Sequence, residues 1–277
     1  MVRRRTSPVI VGALLAVGAL LTAFPFFWMM TTSLKPIAES YTYPPTVLPS
    51  TITLDSYLRL FRDFDFGRYL VNTVIVVSVT VVIAMTLAFL ASVALAKYRF
   101  TGRKLFIVLI IGIQMIPGAG LIIPLYVVLA RYHQVNVLIG VIIVYITAVL
   151  PFSIWTLRGF ILGIPKDLEE AAMVDGSTRL GAFVRILLPL VAPGLVATSV
   201  FAFITTWNEY IFARILLNDQ AKQTLTVWLS YFLGTSRHQD WGALMAGSTL
   251  TAIPVVIFFL LVQRRIMFGL TAGAVKG

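Results

Sequence analysis

Long apolar runs recur along the chain and restrict its fold more than any other feature. Several reach the ~20 residues that an α-helix needs to cross the hydrocarbon core of a bilayer. Only helices and closed barrels span a membrane, because backbone N–H and C=O groups find no water there. Hydrophobic residues make up 59% of the chain, charged residues 12%, and the mean hydropathy is +0.93. The sequence therefore predicts an all-α integral membrane protein.

The apolar runs predict six transmembrane helices within a single transmembrane domain, 1–277. The predicted spans are 9–30, 70–96, 105–130, 137–157, 186–213 and 243–262. Arg3, Arg4 and Arg5 precede the first span, as in a signal peptide. Its apolar run is too long for a signal peptide, however, and no A-x-A cleavage site follows. We therefore expect the first span to remain uncleaved.

The basic residues predict the orientation of these spans. Of the 22 Lys and Arg residues, 14 lie in the segments on the side of the two termini. Those segments are 1–8, 97–104, 158–185 and 263–277. Cytoplasmic loops of membrane proteins carry the excess of Lys and Arg. Both termini are therefore expected in the cytoplasm.

The third predicted span contains helix-breaking residues in the stretch MIPGAGLIIP, at Pro117, Gly118, Gly120 and Pro124. Proline removes a backbone donor and kinks a helix, and in a membrane the freed groups need protein or water partners. A kinked helix that lines a pathway is the functional interpretation. Ordinary variety in helix packing is the alternative.

Several classes of function are disfavoured by what the sequence lacks. There is no cysteine, and the two histidines, His133 and His238, lie far apart in polar connectors, so we expect no metal site. No GxxxxGK[ST] or GxGxxG segment occurs, so this chain is not expected to bind a nucleotide cofactor itself. The net charge of +11 collects at the ends of apolar runs, which fits membrane orientation better than nucleic-acid binding.

The connector between the fourth and fifth spans is rich in charge. Its charged residues are Arg158, Lys166, Asp167, Glu169, Glu170, Asp175, Arg179 and Arg185. At roughly 2.5 kcal/mol each, placing them in the membrane would cost about 20 kcal/mol, so the connector stays in water. Pro165 and the acidic residues after it suit the start of a short helix over 166–175. Gly176 suits a left-handed cap at its end, and Ser177 or Thr178 can cap a second helix.

The short helix presents a face suited to close contact. Leu168, Ala171 and Ala172 share one side at i, i+3, i+4 spacing, and alanine lets another surface approach closely. Glu170 lies beside them on an exposed rim, available to a basic partner. The face therefore suits docking into a protein groove. An amphipathic helix lying on its own transmembrane bundle is the alternative.

The residues of this connector form a spaced motif. It reads Glu170-Ala171-Ala172, three residues, Gly176, nine residues, Ile186, one residue, Leu188-Pro189. The segment 163–189 resembles the EAA loop of bacterial ABC importer permeases at every motif position. Other stretches resemble the sugar-importer branch of that family: SLKP at 33–36, LPFSIWTLRGF at 150–160, WNEY at 207–210 and the terminal GLTAGAVKG.

The resemblance implies a multi-pass permease of the bacterial cell membrane that transports a sugar or oligosaccharide, with 163–189 as its coupling loop. The implied partners are a second homologous permease, a dimer of ATPases that carries ATP and Mg, and an extracytoplasmic solute-binding protein. Glu170 would face a basic group of the ATPase, Ala171 and Ala172 would allow close approach, and Gly176 would turn the chain. Asp175 belongs to the same set of implied coupling residues. The tail after Arg264 and Arg265 would also reach towards the ATPases.

Polar residues inside the predicted spans are candidates to line the pathway. They are Asn72, Ser78, Thr86, Gln114, Thr147, Ser153, Thr205, Asn208, Glu209, Ser248 and Thr249. Small hydroxyls equally often join helices, so Gln114 and Asn208 are the preferred candidates. Glu209 lies near the outer end of the fifth span beside Trp207 and Tyr210, where we expect a structural role rather than a proton relay.

Two other classes of function compete with an ATP-driven permease. An ion-coupled secondary transporter acting without an ATPase requires several intramembrane carboxylates or broken helices in paired repeats. The predicted spans offer only Glu209, and no repeat is visible. An intramembrane enzyme requires convergent Ser/His, Asp/Asp or His/Glu pairs, and no histidine lies in a predicted span. No catalytic residue is therefore assigned.

Overall fold

The computed structural model describes residues 8–233 and 240–271, with side chains described for 9–232 and 240–263. Within these ranges every regular element is a helix, so the predicted all-α membrane fold is confirmed. The predictions made for Arg3 to Arg5, for His238 and for the end of the C-terminal tail lie outside the described residues. The cytoplasmic location of both termini stays a prediction.

Twelve α-helices follow one another along the described chain. They are α1 (Pro8–Ser33), α2 (Asp55–Arg62), α3 (Phe66–Lys97), α4 (Arg103–Ile113), α5 (Ile122–Arg131), α6 (Leu138–Leu162), α7 (Asp167–Val174), α8 (Arg179–Ala182), α9 (Leu188–Trp207), α10 (Ile211–Leu216), α11 (Leu225–Ser230) and α12 (Trp241–Thr271). A π-helical turn, Phe183–Leu187, joins α8 to α9 without a break.

The described helices include 5 that are long and apolar enough to cross a membrane, or up to 6 if one bent pair counts as a single span. The bent pair is Arg103–Ile113 with Gly118–Arg131, and its two parts meet at 100°. Pro117 occupies the break with an extended ψ of 125°, where proline and glycine predict an interruption. The third predicted span is therefore a strongly bent element.

The fifth span differs from its predicted bounds of 186–213. It runs over Arg179–Trp207, so it starts earlier and stops sooner. The early start reflects the continuous α8, π-turn and α9. The early end has a local cause: the Glu209 carboxylate accepts hydrogen bonds from the backbone N–H groups of Phe212 and Ala213 and starts α10 as a new helix.

The described residues group into two compact units within the predicted transmembrane domain. The first unit consists of the described residues up to Arg68 and the described residues between Trp228 and Pro254. Trp228 lies in a predicted connector of this unit, between the fifth and sixth spans, and supplies a small core there. Its indole N–H donates to the carbonyl of Phe64 at 3.2 Å, and its ring meets that of Phe66 edge to face at 5.2 Å.

The second unit spans Tyr69 to Val227 and the described residues from Val255 onwards. Its core joins α3, α6 and α9 through fully or nearly buried Ala84, Leu157 and Val191. A Cβ added at Gly194 of α9 would lie 2.6 Å from the Phe160 ring of α6, so glycine is needed for this close approach. Ile161, near the end of α6, and Leu187, just before α9, both belong to this core. The core therefore holds both ends of the charged connector between α6 and α9.

Candidate functional site

The charged connector folds into the short exposed helix that the sequence predicts. This helix, α7, covers Asp167–Val174 and carries Asp167, Glu169 and Glu170 in its first turn. Carboxylates there complement the positive end of the helix dipole. With only eight residues, α7 gains little stability of its own, because isolated helices of this length are marginal in water. Its capping and anchoring contacts therefore determine its position.

Gly176 ends α7 in the left-handed conformation that the sequence predicts, with φ of 91°. Its N–H donates to the carbonyl of Met173 at 3.1 Å, and the N–H of Ser177 donates to that of Ala172 at 2.9 Å. This pair of bonds is the Schellman arrangement, which satisfies the free carbonyls of a helix end. Of the two predicted caps of the next helix, Thr178 is the one used: its hydroxyl accepts from the N–H of Gly181 at 3.0 Å.

The outer surface of α7 is open to solvent, and the helix contains no buried residue. Glu170 and Ala171 are exposed, and Ala172 is half-buried. Leu168 is 45% exposed and Val174 86% exposed. Apolar side chains in such numbers beside a free carboxylate are typical of a surface that a partner covers. Between the two interpretations of this helix, the exposure favours docking over packing on its own bundle.

Glu169, which the sequence analysis did not single out, ties α7 to the transmembrane core. Its carboxylate forms an ion pair with the ammonium of Lys97 at the end of α3, and each side chain is only 20% exposed. Glu169 and Glu170 are neighbours in sequence, but Glu169 faces Lys97 whereas Glu170 is exposed. Because the pairing joins residues far apart in the chain, no local pattern could reveal it.

The second attachment of the connector follows α8. The ring of Phe183 lies 5.6 Å from that of Phe89 in α3, and Leu187 is fully buried in the core of the second unit. The segment that begins with α7 is thus held to α3 by one ion pair and one aromatic contact. These contacts connect α7 to α3 and, through the continuous helical turn, to α9.

The two candidate pathway residues both lie at helix ends. Gln114 is the cap residue that directly follows α4 at the 100° bend, and its side-chain amide donates to the carbonyl of Ile110 at 3.2 Å. Asn208 caps α9 and donates to the carbonyl of Ile204 at 2.8 Å. Both side chains are exposed. Their contact with substrate stays a prediction.

Glu209 has the arrangement of a structural residue, in keeping with the role expected for it. The Tyr145 hydroxyl donates to its carboxylate at 2.6 Å, and the N–H groups of Phe212 and Ala213 donate at 2.9 and 3.2 Å. The hydroxyl of Thr226 donates to its backbone carbonyl at 2.7 Å. The carboxylate thus fastens α6, α9 and α10 together.

Comparisons with known proteins agree with this architecture. Residues 84–270 match the family model of the binding-protein-dependent transport system inner membrane component. The chain is 41% identical over 273 residues to the diacetylchitobiose uptake system permease protein DasC of Streptomyces coelicolor. This alignment covers 99% of this chain and 98% of that protein. It is 36% identical over 275 residues to the trehalose/maltose transport system permease protein MalG of Thermococcus litoralis, covering 95% and 96%. A crystal structure of a bacterial ABC transporter involved in the import of the acidic polysaccharide alginate contains a similar chain, with TM-score 0.81, 25% identity, and coverage of 95% and 98%.

Proposed function

The chain belongs to the family of binding-protein-dependent transport system inner membrane components, and we propose that its helix α7 is the contact through which a separate ATPase drives transport. It is a multi-pass permease subunit of a sugar-type ABC importer in the bacterial inner membrane, and it works with a solute-binding protein. The coupling residues within this proposal are Glu170, Ala171, Ala172, Asp175 and Gly176.

The observation that carries the proposal is the combination of exposure and anchoring at α7. No residue of α7 is buried, yet Glu169 pairs with Lys97 of α3. A helix that only closed a loop would not need both features. An exposed surface held to transmembrane helices suits the transfer of a partner's movement into the membrane. In this arrangement Glu170 attracts a basic group, and Ala171 lets the ATPase surface come close.

In this proposal, the ATP that drives transport is bound by the partner subunits. The chain contains no glycine-rich phosphate-binding motif, so ATP and Mg bind to a dimer of ATPases rather than to this subunit. A second homologous permease completes the pathway. Uptake should therefore persist when the proton gradient is collapsed while ATP is maintained. Uptake that follows the proton gradient instead would favour an ion-coupled transporter.

The proposed substrate is a sugar or oligosaccharide. The two relatives are named for diacetylchitobiose and for trehalose/maltose, and the structural neighbour takes part in the import of alginate. Different sugars at similar levels of identity indicate that the shared residues do not set the choice of sugar. Gln114 and Asn208 supply walls or hydrogen bonds to the pathway in this proposal. Calorimetric screening of sugars against the cognate binding protein identifies the substrate.

The coupling proposal is tested by Glu170→Lys in the assembled importer. A lysine there opposes the basic group of the ATPase, so the affinity of the permease for the ATPase should fall roughly 30-fold, or about 2 kcal/mol. Membrane insertion should stay normal, since Glu170 is exposed. Asp63→Lys reverses an exposed carboxylate elsewhere and is the matched control. Equal ATPase retention in both variants would contradict the proposal.

A further inference from the structure

The connector between α3 and α4 forms a cleft of about 770 Å³ with an unusual charge. Its lining includes Arg99, Arg103, Lys104 and Arg158, and it includes no carboxylate. Arg99 and Lys104 are exposed, whereas Arg103 and Arg158 are half-buried. Four cations held around one cavity repel each other unless an anion lies between them.

No protein group neutralises this cleft within the part of the chain that the structure describes. None of its four cations forms an ion pair there. The Nε of Arg158 is buried without a hydrogen-bond partner, and its guanidinium lies 5.6 Å from the ring centre of Trp155. The neighbouring cleft beside α7 differs, because Glu169 and Glu170 share it with Lys97, Lys166 and Arg179. The positive charge of the α3–α4 cleft is therefore not balanced by any of the described residues, and a bound anion would balance it.

The position of the cleft indicates which anion. Residues 98–102 join two apolar spans, so they lie where these helices leave the hydrocarbon. Trp155 is 42% exposed, as in the aromatic belt at a membrane interface. From the cleft, α4 continues with exposed Leu105 and Val108, which are 62% and 64% accessible. Cations at the surface and an adjoining apolar flank match a phosphate headgroup and its acyl chains. A soluble anion would leave the flank unused.

The chemistry of the four cations suits a phosphodiester. Guanidinium groups present a planar fork of N–H donors that binds phosphate oxygens in pairs, and three of the four cations are arginines. The α4 helix also begins here at Gly102 without a capping side chain, so its positive dipole end adds to the attraction. We propose that the α3–α4 cleft binds the headgroup of an anionic phospholipid of the phosphatidylglycerol type.

The test measures lipid binding to the full-length chain in detergent by native mass spectrometry. Phosphatidylglycerol should bind at a concentration at least roughly 100-fold lower than phosphatidylcholine, because each cation contributes about fivefold to the binding of a headgroup with net negative charge. The triple variant Arg99→Gln, Arg103→Gln, Lys104→Gln should weaken phosphatidylglycerol binding about 100-fold, at about fivefold per cation. The matched control Arg62→Gln, Arg68→Gln, Arg131→Gln removes the same charge elsewhere and should change binding less than about twofold.

Three results would overturn the proposal. The first is a triple variant that binds phosphatidylglycerol as the wild type does. The second is soluble glycerol phosphate that displaces the lipid at equal concentration, which would make the cleft a site for a free anion. The third is unchanged lipid binding with loss of the ATPase subunit, which would make it a protein-docking surface. If the triple variant fails to fold, Lys104→Gln alone, at an exposed residue, should still lose about fivefold.

Discussion

Two carboxylates flank the span Arg179–Trp207, with Glu170 before its start and Glu209 after its end, and the chain uses them in opposite ways. Glu209 accepts hydrogen bonds from Tyr145, Phe212 and Ala213, so its charge is satisfied by its own subunit. Glu170 is exposed and has no ion pair among the described residues. A satisfied carboxylate holds helices together, whereas a presented one is available to a partner. In our proposal, this contrast separates a structural carboxylate from a coupling carboxylate at the two ends of one span.

Glu169 makes the same contrast within a single turn of helix. It pairs with Lys97, while the next residue, Glu170, faces outward. The first anchors α7 and, in our proposal, the second recognises the ATPase, so the two residues should respond differently to substitution. Loss of the Glu169 anchor should affect the transfer of movement, and loss of Glu170 should affect binding.

The largest effect on stability is expected for Glu209→Ala. It leaves the Tyr145 hydroxyl and the N–H groups of Phe212 and Ala213 without their acceptor. At roughly 1 kcal/mol per unsatisfied donor, the free energy of unfolding should fall by about 3 kcal/mol. Unfolding of the detergent-solubilised chain measures this loss. Glu209→Gln keeps an acceptor oxygen, so its free energy of unfolding should fall by less. Equal stability of Glu209→Ala and wild type would show that Glu209 does not hold the helices together.

A smaller effect is expected at Gly176. Its φ of 91° costs a residue with a Cβ about 1 kcal/mol, and a β-branched residue more, although no atom lies within 4 Å of the added Cβ. Gly176→Val should therefore misdirect α7 and reduce ATPase co-purification without unfolding the transmembrane core. Gly159→Ala is the matched control, because its Cβ also meets nothing within 4 Å and its backbone is helical. Similar ATPase retention in the two variants would show that the turn does not direct α7.

The smallest effect concerns Glu39, a half-buried carboxylate whose hydrogen-bond donors all come from its own chain. Hydrogen bonds from the Thr46 hydroxyl, and then from the N–H and hydroxyl of Ser50, hold the pKa of Glu39 below its ordinary value of 4.5. These bonds stabilise the loop above pH 4.5 and are lost as the pH falls through the depressed value. The Ser50 amide resonance should therefore shift with a midpoint below 4.5, and Glu39→Gln should abolish that shift. A midpoint above 4.5 would contradict this account.

Local rules were enough to predict the short helix and its caps. Pro165, the acidic first turn, Gly176 and Thr178 act within a few residues of each other, so the sequence reveals α7 and the turn that ends it. Apolar runs likewise predict where the long helices lie, and Pro117 with Gly118 predicts the interruption of the third span. Each of these signals depends on neighbouring residues alone.

Features that depend on distant residues were not predicted. The size of the 100° bend depends on what packs against both halves of the third span. The Lys97–Glu169 ion pair joins α3 to α7, and the bond of Tyr145 to Glu209 joins α6 to the end of α9. The core around Trp228 forms between segments that are far apart in sequence. A single sequence gives no measure of such contacts.

The most direct test of the coupling role is site-specific photo-crosslinking in the assembled importer. A photoreactive residue at exposed Ala171 should capture the ATPase subunit, and ATP should change the yield as the ATPases close. A probe at exposed Asn208, which follows the opposite end of the span Arg179–Trp207, should capture no ATPase. Capture from Ala171 but not from Asn208 is the result we predict. If Ala171 captures only lipid or this subunit itself, α7 is not the coupling contact.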